Sequence, residues 1–420
     1  MKYHNIYKLY YTLILLLLVA FPIFELHLIL FLITSSFFLL GTDTILPTNL
    51  FNIILILFFI IIIGVVTSFF YSKNYYDLFK DFMYFVKPII ALLSGYFIAK
   101  KINSIRYIFK GIILIATVFS IVHLIKIVLI TDLTGSSINE IREIGGISNL
   151  IEVFALVILL GSYKYDFLNI FKNKLFKKLV LILLSISFVM YFSRTMLVAF
   201  VIFCLAIFGY IKLSSKGLKY GFMVLFSMGL FYIYLFNADL ERDKPGLESF
   251  LYKLKIAPAE IFIPSKNINI SKHEFLWDHW RAYESAMALE KMNEEPVSFI
   301  VGKGFGALVD LKFKAPLSSE NIRFIPILHN GYSYILFKTG IIGLFLYFIF
   351  LISLYYSSYI KRYSLNEQTI ANLIAGIGVY FLFTSLIITG IYNMHDIFTF
   401  ILGVLLYIQV ALKKKLNQVE

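Results

Sequence analysis

The residue types and spacings that could do chemistry lie in a few stretches of this 420-residue chain. Arg194 sits in Tyr191-Phe192-Ser193-Arg194-Thr195-Met196, between two apolar runs. A guanidinium keeps its proton there and offers a planar fork of donors that suits phosphate oxygens, so a lipid-linked pyrophosphate is a natural partner. The alternative is an interfacial arginine snorkelling to water. Arg281 lies in a polar helical stretch with Asp278 and Glu284 three residues to either side, a spacing that also makes helix-surface ion pairs. Gly302-Lys303-Gly304-Phe305-Gly306 could turn its backbone N–H groups toward an anion, with Gly302 and Gly304 as binding positions, or could be a plain turn. It lacks the spacing of a nucleotide-binding loop. His329 stands immediately before an apolar run and beside Asn330. An imidazole there can take a proton from a sugar hydroxyl or give one to a phosphate; it can equally flank a helix capped by Asn330 or Ser333.

Other ionisable residues are less specific. His273, His279 and His395 join no His/Cys/carboxylate cluster with metal-ligand spacing, so neither a metal nor another cofactor is expected. Lys87, Lys126 and Glu152 fall within apolar runs, where such groups are functional, paired or interfacial. Lys87-Pro88 also marks a point where a helix would kink. The 44 Phe and 29 Tyr are read as lipid-facing surface and interfacial belts rather than as sugar platforms.

The elements that must position these residues follow from composition. A chain that is 60% hydrophobic and 15% charged, with mean hydropathy +0.84, has more apolar surface than a soluble core can bury. Its apolar runs approach the roughly 20 residues of a membrane-crossing helix and lack the alternation of a barrel. The runs fall near residues 9–24, 26–41, 50–70, 82–100, 105–130, 147–163, 175–192, 195–211, 218–237, 331–357, 369–391 and 396–411. They predict an all-α polytopic membrane protein with about twelve transmembrane helices. No small-residue cleavage site follows Phe21-Pro22, so the first run is read as a retained span. The single cysteine, Cys204, excludes an intrachain disulfide.

The net charge of +13 invites a nucleic-acid reading, but the cations lie mostly in short loops between spans. They concentrate in alternate loops, which places both termini in the cytoplasm. Lys73 and Lys80, Arg142 and Arg194 are the sparse cations of the opposite side. On this assignment residues 1–237 form N-terminal transmembrane helices, 238–330 a large extracytoplasmic lid and 331–420 C-terminal transmembrane helices. The lid is expected to be mostly helical, with an amphipathic helix over Phe275–Glu295 that places Leu276, Trp280, Tyr283, Met287 and Leu289 near one face. Pro258 and Pro264 mark irregular chain before it.

Taken together, these residues resemble the bacterial O-antigen ligase and Wzy-type polymerase superfamily of inner-membrane glycosyltransferases. The likeness rests on Arg281 with an aromatic neighbour, the 302–306 glycine turn, His329-Asn330-Gly331-Tyr332, Gly340-Ile341-Ile342-Gly343-Leu344, and the earlier Ser193-Arg194-Thr195-Met196. It covers about a third of the chain. The resemblance implies glycan transfer from undecaprenyl pyrophosphate on the periplasmic side, without nucleotide sugar or metal. Arg194 and Arg281 would hold the pyrophosphate, and His329 would orient or deprotonate the acceptor or assist the leaving group. Gly302, Gly304 and Asn330 would line the same site. A polymerase, whose acceptor is another lipid-linked repeat unit, is the favoured expectation, with a chain-length regulator and a flippase of the same pathway as partners. An O-antigen ligase acting on lipid A-core is the runner-up. A transporter or flippase for lipid-linked oligosaccharide would instead line a central cavity with cations.

Overall fold

The computed structural model describes residues 2–39, 46–71, 74–130, 138–146, 149–242, 244, 247–262, 273–317, 320–360, 362 and 364–417. Lys73 and Pro264, invoked above, lie outside these residues. The N-terminal half comprises α1 (Lys2–Ala20), α2 (Phe24–Leu39), α3 (Thr48–Tyr71), α4 (Tyr75–Ile102), α5 (Ile105–Ile130), α6 (Ile138–Gly145), α7 (Leu150–Gly161), α8 (Lys174–Met190), α9 (Arg194–Ile207) and α10 (Ser215–Asn237). Short helices follow: α11 (Leu247–Ile256), α12 (Ala259–Phe262), α13 (His273–Asp278), α14 (Trp280–Asn293) and α15 (Ser298–Val301). Strands β1 (Val309–Leu317) and β2 (Glu320–Ile325) then pair antiparallel. The chain ends in α16 (Gly331–Tyr356), α17 (Leu365–Ile387) and α18 (Phe398–Asn417).

Each predicted apolar run overlaps a helix. Among the described residues, α3, α4, α5, α10, α16 and α17 are long and apolar enough to cross a membrane. Apolar stretches of α1 and α2, with α7 and α9, are shorter. With 12 residues, α7 spans about 18 Å, yet most of its side chains are buried, so neighbouring helices and not lipid surround it. Helix α4 is central and packs closely on α18: a Cβ on Gly95 would lie 2.0 Å from the Phe400 carbonyl oxygen, and one on Gly403 2.1 Å from that of Leu92. Such approach lets apolar helices gain dispersion contacts without a solvent-driven force. By contrast α10 buries only Gly217 and Leu235, leaving Phe222, Leu225, Ile233 and Phe236 exposed.

The segment after α10 differs from the expectation in two respects. The anticipated helix over Phe275–Glu295 is broken at His279 into α13 and α14. Leu276, Trp280 and Tyr283 are buried as expected, but Leu289 is exposed. The segment also holds a hairpin. Val309, Leu311 and Ala315 alternate with Asp310, Lys312 and Lys314, a period-two pattern that buries one strand face against α14.

Helix α16 is not a continuous span. Gly340 has φ 66° and ψ −170°, backbone open in practice only to glycine, and it kinks the helix. A Cβ there would meet the Ile300 carbonyl oxygen at 2.2 Å, so α15 and the chain after it pack into the kink.

Candidate functional site

Arg194 occupies the first position of α9, where Ser193 Oγ caps the helix by accepting from the Met196 amide at 3.5 Å. Its Nη1 donates to the Lys253 carbonyl oxygen at 2.5 Å and to Glu260 Oε1 at 3.0 Å, while Nη2 reaches Glu260 Oε2 at 3.4 Å. Arg281, on α14, donates from Nη1 to Oε2 of the same carboxylate and from Nε to the Ile387 carbonyl at 2.8 Å. Glu260 on α12 is thus gripped by two guanidiniums, one from the start of α9 and one from α14. Burial pulls the Arg281 guanidinium below its ordinary value; Glu260 opposes that shift and Arg194 adds to it.

Further cations lie near Lys253, whose carbonyl Arg194 contacts. The Lys253 ammonium is pushed below its usual value by burial, then by Arg142, Arg194 and Arg242, with Asp278 opposing. Buried Arg142 Nε has no hydrogen-bond partner among the described residues. Among the described residues, Arg142, Arg194, Arg242, Lys253 and Arg281 are linked with the carboxylates of Glu260, Asp278 and Glu284, and this surplus of positive charge suits an anion.

One turn after Arg281, Glu284 faces His329. The Glu284 side chain is 2% exposed; it accepts from the His329 backbone N–H at 2.8 Å, and both its oxygens lie 3.0 Å from Nδ1. A carboxylate can only accept, so Nδ1 carries a proton, and of the two neutral tautomers the contact selects the one with its lone pair on Nε2. The imidazole is half exposed, which leaves it accessible. The dyad can take a proton at Nε2 while Glu284 steadies the resulting charge.

The structure brings Arg194 and Arg281 onto Glu260, and Glu284, which acts on Arg281, holds His329. It removes the surface ion-pair reading of Arg281: Asp278 instead pairs with Arg242 at 3.4 Å and accepts from Tyr252, and Glu284 holds His329. The glycine turn corrects another expectation, because Gly302 and Gly304 form no anion nest. Gly302 N–H donates to Ser298, Lys303 N–H to Phe337, Gly304 N–H to Lys338, Phe305 N–H to Ser68 Oγ and Gly306 N–H to Asp81 Oδ2. The kink at Gly340 releases carbonyls that this turn then satisfies. Asn330 Oδ1 is likewise spent, accepting from the Tyr332 and Ser333 amides as the cap of α16.

Of the ionisable residues noted in apolar runs, Lys126 is exposed. Lys87 donates to the Asn393 carbonyl at 3.4 Å, and Glu152 is hydrogen-bonded within the bundle. Among the described residues no group of three or more His, Cys, Asp or Glu is placed to hold a metal ion. Sequence reasoning missed Glu260, which carries no spacing signal, and saw Glu284 only as an ion-pair partner. It also missed Asp81 and Lys338, a fully buried pair at 2.5 Å that anchors the glycine turn through Gly306 and Ala307.

Residues 179–348, which carry Arg194, Arg281 and His329, match the family model described as O-antigen ligase. No curated protein matches the chain.

Proposed function

We propose that this protein, which carries an O-antigen ligase family domain over residues 179–348, is a surface-polysaccharide polymerase of the bacterial inner membrane. It transfers a glycan from undecaprenyl pyrophosphate to a sugar hydroxyl of another lipid-linked repeat unit, with the lid on the periplasmic side and both termini cytoplasmic. The observation that carries this reading is the joint grip of Arg194 and Arg281 on Glu260, beside the Glu284–His329 dyad. Two guanidiniums that share one carboxylate can share a diphosphate instead, whose oxygens accept from both, and Glu260 takes that place when no substrate is bound.

In the reaction the diphosphate takes the guanidinium forks. The acceptor hydroxyl oxygen bonds to the anomeric carbon, its proton passes to His329 Nε2, and the bond from that carbon to the diphosphate oxygen breaks. Arg194 and Arg281 neutralise the charge that grows on the leaving group, and Glu284 stabilises the imidazolium. Apolar helix surfaces such as α10 suit the polyprenyl tail. A chain-length regulator and a flippase of the same pathway are the expected partners. Convergence of Arg194 from α9 with Arg281 and His329 of the lid supports an enzyme over a transporter, whose cations would line a central path.

The diluted form of the motifs supports the polymerase. The description of the matched family favours a second reading, a ligase that joins the glycan to lipid A-core. Deletion separates them: surface lipid bearing one repeat unit marks a polymerase, and polymer accumulating on undecaprenyl pyrophosphate marks a ligase. Arg281→Ala and His329→Ala should abolish polymer while the protein still inserts. Wild-type glycan length distributions from both variants would overturn the site.

A further inference from the structure

A buried polar cluster lies behind the Arg194 turn and takes no part in the chemistry above. Glu152 on α7 is fully buried, and its carboxylate accepts four hydrogen bonds. Oε2 accepts from Ser120 at 2.8 Å and Ser187 at 2.7 Å; Oε1 accepts from Tyr191 at 3.0 Å and Asn149 Nδ2 at 3.0 Å. None of these donors is a cation. Ser187 gives its only hydroxyl proton to Glu152, so it accepts from His123 Nδ1 at 2.9 Å, and the His123 ring stacks on Tyr191 at 3.7 Å between centroids.

These contacts grip both ends of the turn that presents Arg194. Tyr191 closes α8, and the next residue, Phe192, has φ 44°, a left-handed conformation disfavoured outside glycine. Ser193 then caps α9 and Arg194 opens it. From the other side Asn149, already bound to Glu152, donates its backbone N–H to Met196 Sδ at 3.4 Å. The Phe192 ring meets Phe250 of α11 edge-on at 5.9 Å. A left-handed non-glycine residue persists where its surroundings over-determine it, and here they join a buried carboxylate to the cationic site.

We propose that Glu152 and Tyr191 are positioning residues for Arg194. The carboxylate holds the tyrosine hydroxyl, the tyrosine holds the left-handed turn, and the turn sets the direction in which Arg194 reaches Glu260 and the substrate. This proposal rests on the diphosphate-donor reading above.

The test measures binding of undecaprenyl diphosphate to the full-length protein in nanodiscs. Wild type is compared with Arg194→Gln, Tyr191→Phe, Glu152→Gln, and each of the last two combined with Arg194→Gln. Tyr191→Phe and Glu152→Gln should each weaken binding about tenfold, and neither should weaken it further once Arg194 is replaced. Losses that add fully to that of Arg194→Gln, or unchanged affinity in both single variants, would overturn the proposal. Tyr191→Phe keeps the ring stack and removes only the hydroxyl, so it decides the matter even where Glu152→Gln does not fold. Wild type binding undecaprenyl diphosphate no better than undecaprenol would instead overturn the donor reading, and this proposal with it.

Discussion

Glu260 holds together two guanidiniums that would otherwise repel, and each is only about a quarter exposed. Removing the carboxylate leaves partly buried cations with fewer partners. Glu260→Ala should therefore lower stability by about 2 kcal/mol. Thermal unfolding in detergent checks this, and an unchanged midpoint would show the bridge to be dispensable. Glu284 acts one step further from substrate, by fixing which nitrogen of His329 is protonated. Glu284→Gln keeps the shape but can present its amide N–H groups to Nδ1, favouring the wrong tautomer. It should reduce kcat about 100-fold with little change in KM for the donor. A matched rise in KM with constant kcat would mean that the pair serves binding alone.

The kink in α16 and the glycine turn are one element in two pieces. Gly302 and Gly340 both adopt backbone that side chains exclude, and each faces the other segment's main chain: a Cβ on Gly302 would lie 2.4 Å from the Lys338 carbonyl, one on Gly340 2.2 Å from that of Ile300. The carbonyls released by the kink accept the amides of Lys303 and Gly304. Gly340→Ala should thus cost at least about 2 kcal/mol, from backbone strain and the clash together. The same thermal measurement reads it, and a variant as stable as wild type would mean that the two segments separate easily. Since α16 begins at the Asn330 cap beside His329, activity should fall with stability.

Over the whole molecule, the proposed orientation puts the lid and the C-terminal end of α18 on opposite sides of the membrane. Cys204 is the only cysteine, so replacing it with serine gives a clean background for labelling. In intact cells, with the outer barrier opened, an impermeant maleimide should label Lys291→Cys. It should label Lys413→Cys only after the inner membrane is permeabilised. Equal labelling of both positions in intact cells would overturn the topology.

The sequence alone determined where the long apolar helices lie, because apolar length is a local property and each predicted run overlaps one. It also marked Arg194, Arg281 and His329 as candidates by their side-chain chemistry. The hairpin was legible in the alternation from Val309 to Ala315 but was overlooked beside the helical pattern around it. Tertiary structure alone decided the partners. Arg194 meets Glu260 across 66 residues and Arg281 meets Ile387 across 106, contacts set by helix packing and not by spacing. For the same reason the glycine turn was misread: its free amides are a local fact, but the carbonyls that consume them appear only when α16 bends against α15.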